Sequence, residues 1–393
     1  MKILLSAYSC APNSGSEKQV GWDWVKALSK TKNVIHVITR TKNKAKITKV
    51  LKNHKLSNIN FLYYDLPSLF IKLFKRRSSY VYFLLWQIGI CLKFKKFIIN
   101  SKFSYIHHVS LVSYRIPSFL GLFSKKFIFG PVSGGEMVPT NLLNKFHTKH
   151  KIIEMIRLIS NHYIRFSLLM NLTFIYSYKI YVTTKESKKF IPKKYHYKTF
   201  ILPAVFSSKT NFRINNLRNK KYNIFFAGRL IEWKGVKLLK DIFLNINKLD
   251  NKIKLNIYGD GYLNHNLKKF IQKNQFQKKI LITNYLSQKK FLKRIGLNDI
   301  LIFPTFRDSG GYVIIETLLN GKNVITTNAA GPRTMIKSSS IKLIDIHKNS
   351  YDNIVKSFSK KILNYYKCNQ KKHEKIILND NLLSVNKIKI IYN

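Results

Sequence analysis

The pattern that most constrains this chain is an alternation of short β-rich runs with longer helical stretches, which runs through once and then starts afresh. In the first half, strands are expected at Lys2–Ala7, Val34–Thr39, Asn60–Tyr64, Tyr105–Val109, Phe127–Phe129, Lys179–Val182 and Thr199–Leu202. Helical stretches such as Glu17–Ser29 and Tyr80–Asn100 lie between them. The second series is Asn223–Ala227, Lys254–Tyr258, Lys279–Thr283, Asp299–Phe303, Asn323–Thr326 and Ile341–Ile344, with helices such as Val236–Leu249 following most strands. Such alternation gives parallel sheets with helices on both faces, and having it twice gives two α/β domains. The length of 393 residues agrees, since domains commonly hold ~150–200 residues. A polar stretch, SSKTNFRINN, follows Pro203 and marks a boundary within Pro203–Asn216. The expected division is residues 1–205, residues 206–370, and a Lys-rich helical tail over 371–393.

Charge is lopsided. Lys and Arg number 71 against 17 Asp and Glu, a formal net charge of +54. A surface of this sign attracts polyanions: nucleic acid, anionic lipid or phosphorylated substrates. Drift in an AT-biased coding sequence, which enriches Lys, Asn and Ile together, accounts for the same excess. The three cysteines, Cys10, Cys91 and Cys368, are widely spaced and odd in number, which argues against a disulfide framework and for a reducing cytosol. The opening MKILLSAYSCAPNSGSE reads as a first strand and loop, not as a signal peptide. No run reaches the ~20 apolar residues needed to span a bilayer. Tyr80–Leu92 comes nearest, between the basic clusters Lys72, Lys75, Arg76, Arg77 and Lys93, Lys95, Lys96. It suits either a helix at an anionic membrane surface or a buried helix with basic ends.

Two segments carry candidate chemistry. In YNIFFAGRLIEWKG (222–235) a strand ends at a glycine, and Arg229 and Lys234 project from the turn that follows. Ligands of open α/β sheets sit at the carboxyl ends of strands, where two cations can clamp a diphosphate; solvated surface charge is the plain alternative. In PTFRDSGGYVIIETLLNG (304–321) a strand gives way to Ser309, Gly310 and Gly311, and a helix opens. Backbone N–H groups at a helix N-terminus after glycines form an anion site. Asp308 and Glu316 lie eight residues apart across this loop, one placed for a sugar and the other for ribose hydroxyls. In the first half, YIHHV puts His107 and His108 at a strand end, where alternation lets only one face a site. GPVSGGE (130–136) is a further glycine-rich loop after a strand. There is no Asp-x-Asp pair and no metal-ligand spacing, so cations and helix dipoles are expected to neutralise a leaving diphosphate.

Taken together, GRLIEWKG (228–235), IYGDGYLNHNLKKFI (257–271), FPTFRDSGGYVIIETLLNGKNVIT (303–326) and SAYSCAPNSGSEKQVGWDW (6–24) resemble the family-4 glycosyltransferases over nearly the whole chain. The resemblance implies the GT-B fold, two Rossmann-like domains with parallel sheets facing a central cleft. It implies a retaining, metal-independent hexosyltransferase without a cofactor, using a UDP- or GDP-sugar as donor. Arg229 and Lys234 would hold the donor diphosphate and Glu316 the ribose. Asp308 with Ser309, Gly310 and Gly311 would contact the transferred sugar and phosphate. The loop Asn13–Glu17, with Gly15, would border the donor, and one of His107 and His108 would stand near sugar and acceptor. The family usually has Glu where this chain has Asp308, one methylene shorter.

The implied partners are a nucleotide sugar and a saccharide or lipid-linked acceptor, in surface polysaccharide or lipopolysaccharide synthesis. The implied place is the cytoplasm or the inner face of the cell membrane, held by its anionic surface. A sugar-nucleotide epimerase of the same architecture and a non-catalytic polyanion-binding protein are the competing readings. Against the latter, the charge is dispersed and no nucleic-acid-binding motif is present, so no specific nucleic acid is expected.

Overall fold

The computed structural model describes residues 1–12, 14, 16–53, 56–70, 79–204, 211–213, 222–335, 341–367, 375–377 and 385–392. Several sequence features lie outside the described residues: Asn13, Gly15, Lys72, Lys75, Arg76, Arg77, Cys368 and most of the expected boundary and tail. The chain divides into two α/β units, each built on a parallel sheet. One unit comprises Met1–Gly135, Leu158–Ser208 and Asn381–Asn393; the other comprises Glu136–Arg157 and Lys209–Asp380. Beyond the change near residue 208, the segment 136–157 therefore groups with the second unit and the C-terminal residues group with the first.

The first unit holds strands β1 (Lys2–Ala7), β2 (Val34–Thr39), β3 (Ile59–Tyr63), β4 (Tyr105–Ser110), β5 (Phe127–Val132), β6 (Ser177–Val182) and β7 (Thr199–Ile201). They form one sheet in the order β3-β2-β1-β4-β5-β6-β7, with parallel pairing throughout. Strands in such a sheet are covered on both faces, and so β4 and β5 are buried at every position. Helix α1 (Ser16–Leu28) covers one face, where Trp24 meets the His107 ring edge-on. Helices α2 (Lys44–Asn53) and α3 (Ser79–Asn100) follow. Helix α4 (Thr148–Tyr163) divides between the units at residue 157, and α5 (Leu168–Tyr176) and α6 (Lys185–Phe190) complete the helical set before β7.

Of the Tyr80–Leu92 stretch, Tyr82, Phe83, Trp86 and Ile90 belong to the core of this unit. Its inner face is thus spent on packing. Phe83 reaches His108, which pairs in register with Phe129, and Phe129 reaches Phe174 of α5. Paired residues of adjacent strands share a face, so α3 and α5 cover the same side of the sheet.

The second unit holds β8 (Asn211–Arg213), paired antiparallel with the later β15 (Lys375–Ile377), and a six-stranded sheet. The sheet comprises β9 (Asn223–Ala227), β10 (Lys254–Tyr258), β11 (Ile280–Thr283), β12 (Ile300–Phe303), β13 (Asn323–Thr327) and β14 (Ile341–Ile344). Its order is β11-β10-β9-β12-β13-β14, parallel at each pairing. Between strands run α7 (Val236–Leu249), α8 (Asn264–Lys273), α9 (Gln288–Ile295), α10 (Tyr312–Leu319) and α11 (Ala330–Met335), and α12 (Tyr351–Lys367) follows β14. Helix α7 buries Val236, Leu238, Leu239, Ile242, Phe243 and Ile246, which recur after three and four positions along one broad helical face. It packs on α12, where the Tyr351 hydroxyl donates to Asp241 at 2.6 Å.

A last helix, α13 (Val385–Tyr392), docks on the first unit through Tyr392, which is buried beside His107. The His107 Nε2 lies 2.6 Å from the Gly130 carbonyl, which accepts only, so Nε2 carries the proton and Nδ1 accepts from the Tyr392 hydroxyl at 2.5 Å. The same logic gives His108 a protonated Nε2 toward the Leu111 carbonyl, with Nδ1 accepting from Gln87. Burial holds both rings neutral, lowering His107 from 6.5 to about 3 and His108 to about 4. Below about 6.5 the unfolded chain takes up protons that the folded chain refuses, so stability falls as pH falls. For His108 the loss runs from about pH 6.5 to about 4 and amounts to about 1.4 kcal/mol per pH unit. His108→Gln is expected to flatten the decline of unfolding free energy between pH 6.5 and 5, measured by urea titration. A variant with an unchanged slope would show that His108 does not titrate this way.

Candidate functional site

The sheet order of the second unit reverses between β9 and β12: from β9 the chain moves outward to β10 and β11, then returns to the other side for β12. At such a reversal two loops leave the carboxyl edge in opposite directions and a crevice opens between them. The loops here are 228–235 after β9 and 304–311 after β12. They are the two segments that carry Arg229, Lys234, Asp308, Ser309, Gly310 and Gly311.

The structure brings Lys234 and Asp308 together. Lys234 Nζ donates to Asp308 Oδ2 at 2.5 Å, with both side chains 14% exposed. The other carboxylate oxygen accepts from the Gly310 N–H at 3.2 Å. Lys234 is aimed by the turn Glu232–Lys234, which closes on Gly235 with φ +76°. A Cβ at Gly235 would fall 1.9 Å from the Pro304 carbonyl oxygen, so only glycine lets the two loops touch. Hydrogen bonds continue the seam: the Phe306 N–H and Thr305 hydroxyl both donate to the Trp233 carbonyl. On the other side the Gly331 N–H donates to the Asp308 carbonyl at 2.8 Å. Gly311, with φ +142°, caps α10, and its carbonyl accepts from Ile314. Glu316 lies one turn further along α10 and accepts from Gln288 Nε2 at 3.0 Å. Arg229 is exposed, its guanidinium 5.7 Å from the Trp233 ring centre. After β10, Asp260 ties its loop to this edge, since its carbonyl accepts from Leu230. The Asn264 amide and Gly261 N–H hold its carboxylate below the usual range.

Arg307 was not singled out by sequence, and the structure gives it a central part. Its guanidinium grips Glu154 of α4 with three contacts of 2.8 to 3.1 Å, and lies 4.5 Å from the Trp233 ring centre. Glu154 is 2% exposed. Segment 136–157 makes further contacts on the same unit. Glu232 accepts from the His147 N–H, Phe146 packs on Phe306, and His150 stacks on Tyr262. No local pattern marks Glu154: its partner is 153 positions away. Arg307 stands beside Asp308 in sequence, and that adjacency was the one available signal.

The remaining sequence candidates fall elsewhere. His107 and His108 are fully buried, with all four ring nitrogens engaged, inside the first unit. Position 130 belongs to β5, which runs on to Val132. Beyond it the Gly134 carbonyl accepts from Arg115 and Asn161. At the corresponding reversal of the first sheet, Glu17 of α1 accepts from the Val112 N–H at 2.8 Å, joining the loops after β1 and β4.

Residues 207–379 match the family model described as Glycosyl transferases group 1. An uncharacterized 41.2 kDa protein in the cps region of Klebsiella pneumoniae is 30% identical over 118 residues, which span 30% of this chain and 30% of that one. Among solved structures, the lipopolysaccharide outer core galactosyltransferase WaaB superposes with a TM-score of 0.58 at 13% identity, covering 93% of this chain and 91% of that one. Anabaena HepE in complex with UDP and glucose gives 0.55 at 12% identity, over 93% and 91%.

The buried pair yields a prediction. Removing one partner of such a pair strands the other charge and typically costs ~3–5 kcal/mol, whereas replacing both is far milder. Glu154→Gln is expected to lower the unfolding free energy by about 3 kcal/mol, and Glu154→Gln with Arg307→Met to recover most of it. Additive losses in that double-mutant cycle, measured by urea unfolding, would show that the two residues are not coupled. The strand reversal and the two apposed loops thus lie within the segment, residues 207–379, that matches the group 1 glycosyl transferase model, and the chain has a GT-B fold.

Proposed function

We propose that the chain transfers a sugar from a nucleotide-sugar donor to a hydroxyl acceptor, with retention of anomeric configuration and without a metal ion. The observation that carries this reading is the placement of Lys234, Asp308 and the 309–311 backbone at the strand reversal, with Arg229 on the rim. A diphosphate entering there meets Lys234 as a point charge, Arg229 as a fork, and N–H groups at the start of α10. Lys234 would exchange part of its bond to Asp308 for phosphate oxygen, freeing Asp308 to accept from sugar hydroxyls. Glu316, which accepts from Gln288, would accept from ribose hydroxyls.

In the transfer, the bond from anomeric carbon to phosphate oxygen breaks while the acceptor oxygen attacks from the same face. The departing diphosphate takes the acceptor's proton. The positive groups already fixed around it stabilise the charge that develops, which is where preorganised dipoles act most strongly. His107 and His108 take no part in this mechanism, because neither ring is open to a substrate. The absence of an Asp-x-Asp pair from the sequence supports a metal-independent reaction.

UDP in the HepE complex supports a UDP-sugar donor, with GDP-sugar as the alternative. A relative from a cps region and a fold neighbour that works on lipopolysaccharide support a saccharide or lipid-linked acceptor in surface polysaccharide synthesis. The reaction would take place in the cytoplasm, where nucleotide sugars are made, at the inner face of the cell membrane.

A thermal-shift screen across UDP-, GDP-, ADP- and dTDP-sugars is expected to single out one base, because a ligand of the native state raises the midpoint by mass action. Glu316→Ala should keep the ligand-free midpoint and weaken donor binding by roughly tenfold, the worth of one or two charge-assisted hydrogen bonds. Wild-type donor affinity in that variant would remove Glu316 from the site, and release of a free 2-epimerised sugar in place of a glycoside would favour an epimerase. Glycoside formation should also survive EDTA; loss on chelation with recovery on manganese or magnesium would overturn the metal-independent mechanism.

A further inference from the structure

Helix α5 of the first unit is apolar on both faces. Its inner face, Met170 and Phe174, is in the core. Its outer face carries Leu168, Leu172 and Ile175, spaced four and three apart, and Leu168 is 80% exposed. Phe166, just before the helix, is 77% exposed. The neighbouring helix α3, on the same side of the sheet, repeats the arrangement: Ile88 and Leu92 point outward, Leu92 with 73% exposure. The helical turn Phe119–Phe123 packs against both helices. The outer surface of this helical layer is therefore apolar where a folded chain normally presents polar side chains, and apolar patches of this kind mark interaction sites.

Its electrostatics are equally one-sided. No aspartate or glutamate occurs within residues 66–135 or 158–185, which supply the whole layer. Cations are present throughout: Lys93, Lys95 and Lys96 on α3, Lys125 and Lys126 after the turn, and Arg165 before α5. We infer that this layer docks on an anionic lipid surface, with Leu168, Leu172 and Ile175 of α5 and Ile88 and Leu92 of α3 entering the interfacial region and the surrounding cations meeting headgroup phosphates. Apolar bulk beside cations on one face is what an anionic interface binds, since burial and headgroup attraction add. A second copy of this chain is disfavoured as the occupant, because each copy brings a net charge of +54 and an equally acid-free layer. Nor does α5 span: nine residues give a helix of about 14 Å, against ~30 Å of hydrocarbon. Among the described residues no helix is long and apolar enough to cross a membrane.

The inference deepens the transferase reading, and rests on it only for why the chain would dock: the surface would bring a lipid-linked acceptor to the enzyme. It also moves the expected contact. The Tyr80–Leu92 stretch gives most of its aromatic bulk to the core, and the outward α5 stripe was not anticipated from sequence.

The test is co-sedimentation of the full chain with vesicles of phosphatidylethanolamine containing one third phosphatidylglycerol, and with phosphatidylcholine vesicles, across a salt series. Wild type is expected to bind the anionic vesicles at low salt and to be released at high salt. Leu168→Ser, Leu172→Ser and Ile175→Ser together should lower partitioning by roughly tenfold or more, since each such side chain taken from water is worth about a tenfold change by itself. Leu249→Ser, Leu281→Ser and Tyr285→Ser, equally exposed but in the second unit, should change it less than about twofold because they lie off the docking layer. All these side chains are exposed, so the unfolding midpoints should stay near wild type. Equal loss in both triple variants, equal binding to both lipids, or self-association of wild type that the α5 variant abolishes would overturn the inference. UDP-induced stabilisation, read on the same variants, separates failure of docking from failure of the transferase reading.

Discussion

One largely buried ion pair, Arg307 with Glu154, ties the site loop of the second unit to the segment 136–157. Taking a guanidinium and a carboxylate out of water costs several kcal/mol per ion, and the loss is offset only where geometry is near ideal and the remaining donors and acceptors are engaged. In the Arg307–Glu154 pair Nε bonds both carboxylate oxygens and Nη2 adds a third contact, and the guanidinium is also close to Trp233. The placement matters as much as the energy. Arg307 adjoins Asp308, so a fixed Arg307 fixes the loop that presents Asp308, Ser309, Gly310 and Gly311. On one side Gly235, and on the other Gly331, let backbone press directly on that loop. The proposed diphosphate site would gain little from cations that wander, and here the loop that carries Asp308 is constrained on three sides.

Legibility in the sequence followed the range of the interactions. Parallel strands buried on both faces announce themselves as apolar runs, so the strands from Lys2–Ala7 to Ile341–Ile344 were readable from local composition, with ends shifting by a residue or two. One shift was larger. Gly130 and Pro131 read as the start of a loop, yet β5 continues to Val132, because parallel pairing with β6 resumes at Val132. The two candidate segments, with Arg229 and Lys234 in one and Asp308–Gly311 in the other, could be picked out because each is local in sequence, and the strand order sets the two segments side by side. Contacts across a long separation left no such trace. Glu154 to Arg307, and His107 to Tyr392, join residues 153 and 285 positions apart. A histidine at a strand end looks the same in sequence whether it faces a ligand or, as His107 does, supports a terminal helix.

The spending of acids links the site to the surface. Of the few carboxylates in this chain, Asp65, Glu136, Glu154 and Asp308 lie within 4 Å of an arginine or lysine, each with a side chain no more than 14% exposed. Each of these acids is neutralised by a cation that is itself no more than 19% exposed, so the excess of +54 rests on the remaining side chains. A compositional bias toward lysine explains the number of cations but not the location of the acids. The proposed nucleotide-sugar donor would benefit from the long-range positive potential, which raises encounter rates before any contact forms. The same potential acts on any anionic surface. It acts most strongly where acids are lacking altogether, and in the first unit that is where the leucines of α5 face outward. Charge and apolar exposure therefore coincide on one layer for separate physical reasons. Apolar exposure alone would invite self-association; with like charge around it, partners of the same kind are repelled and those of opposite sign are admitted.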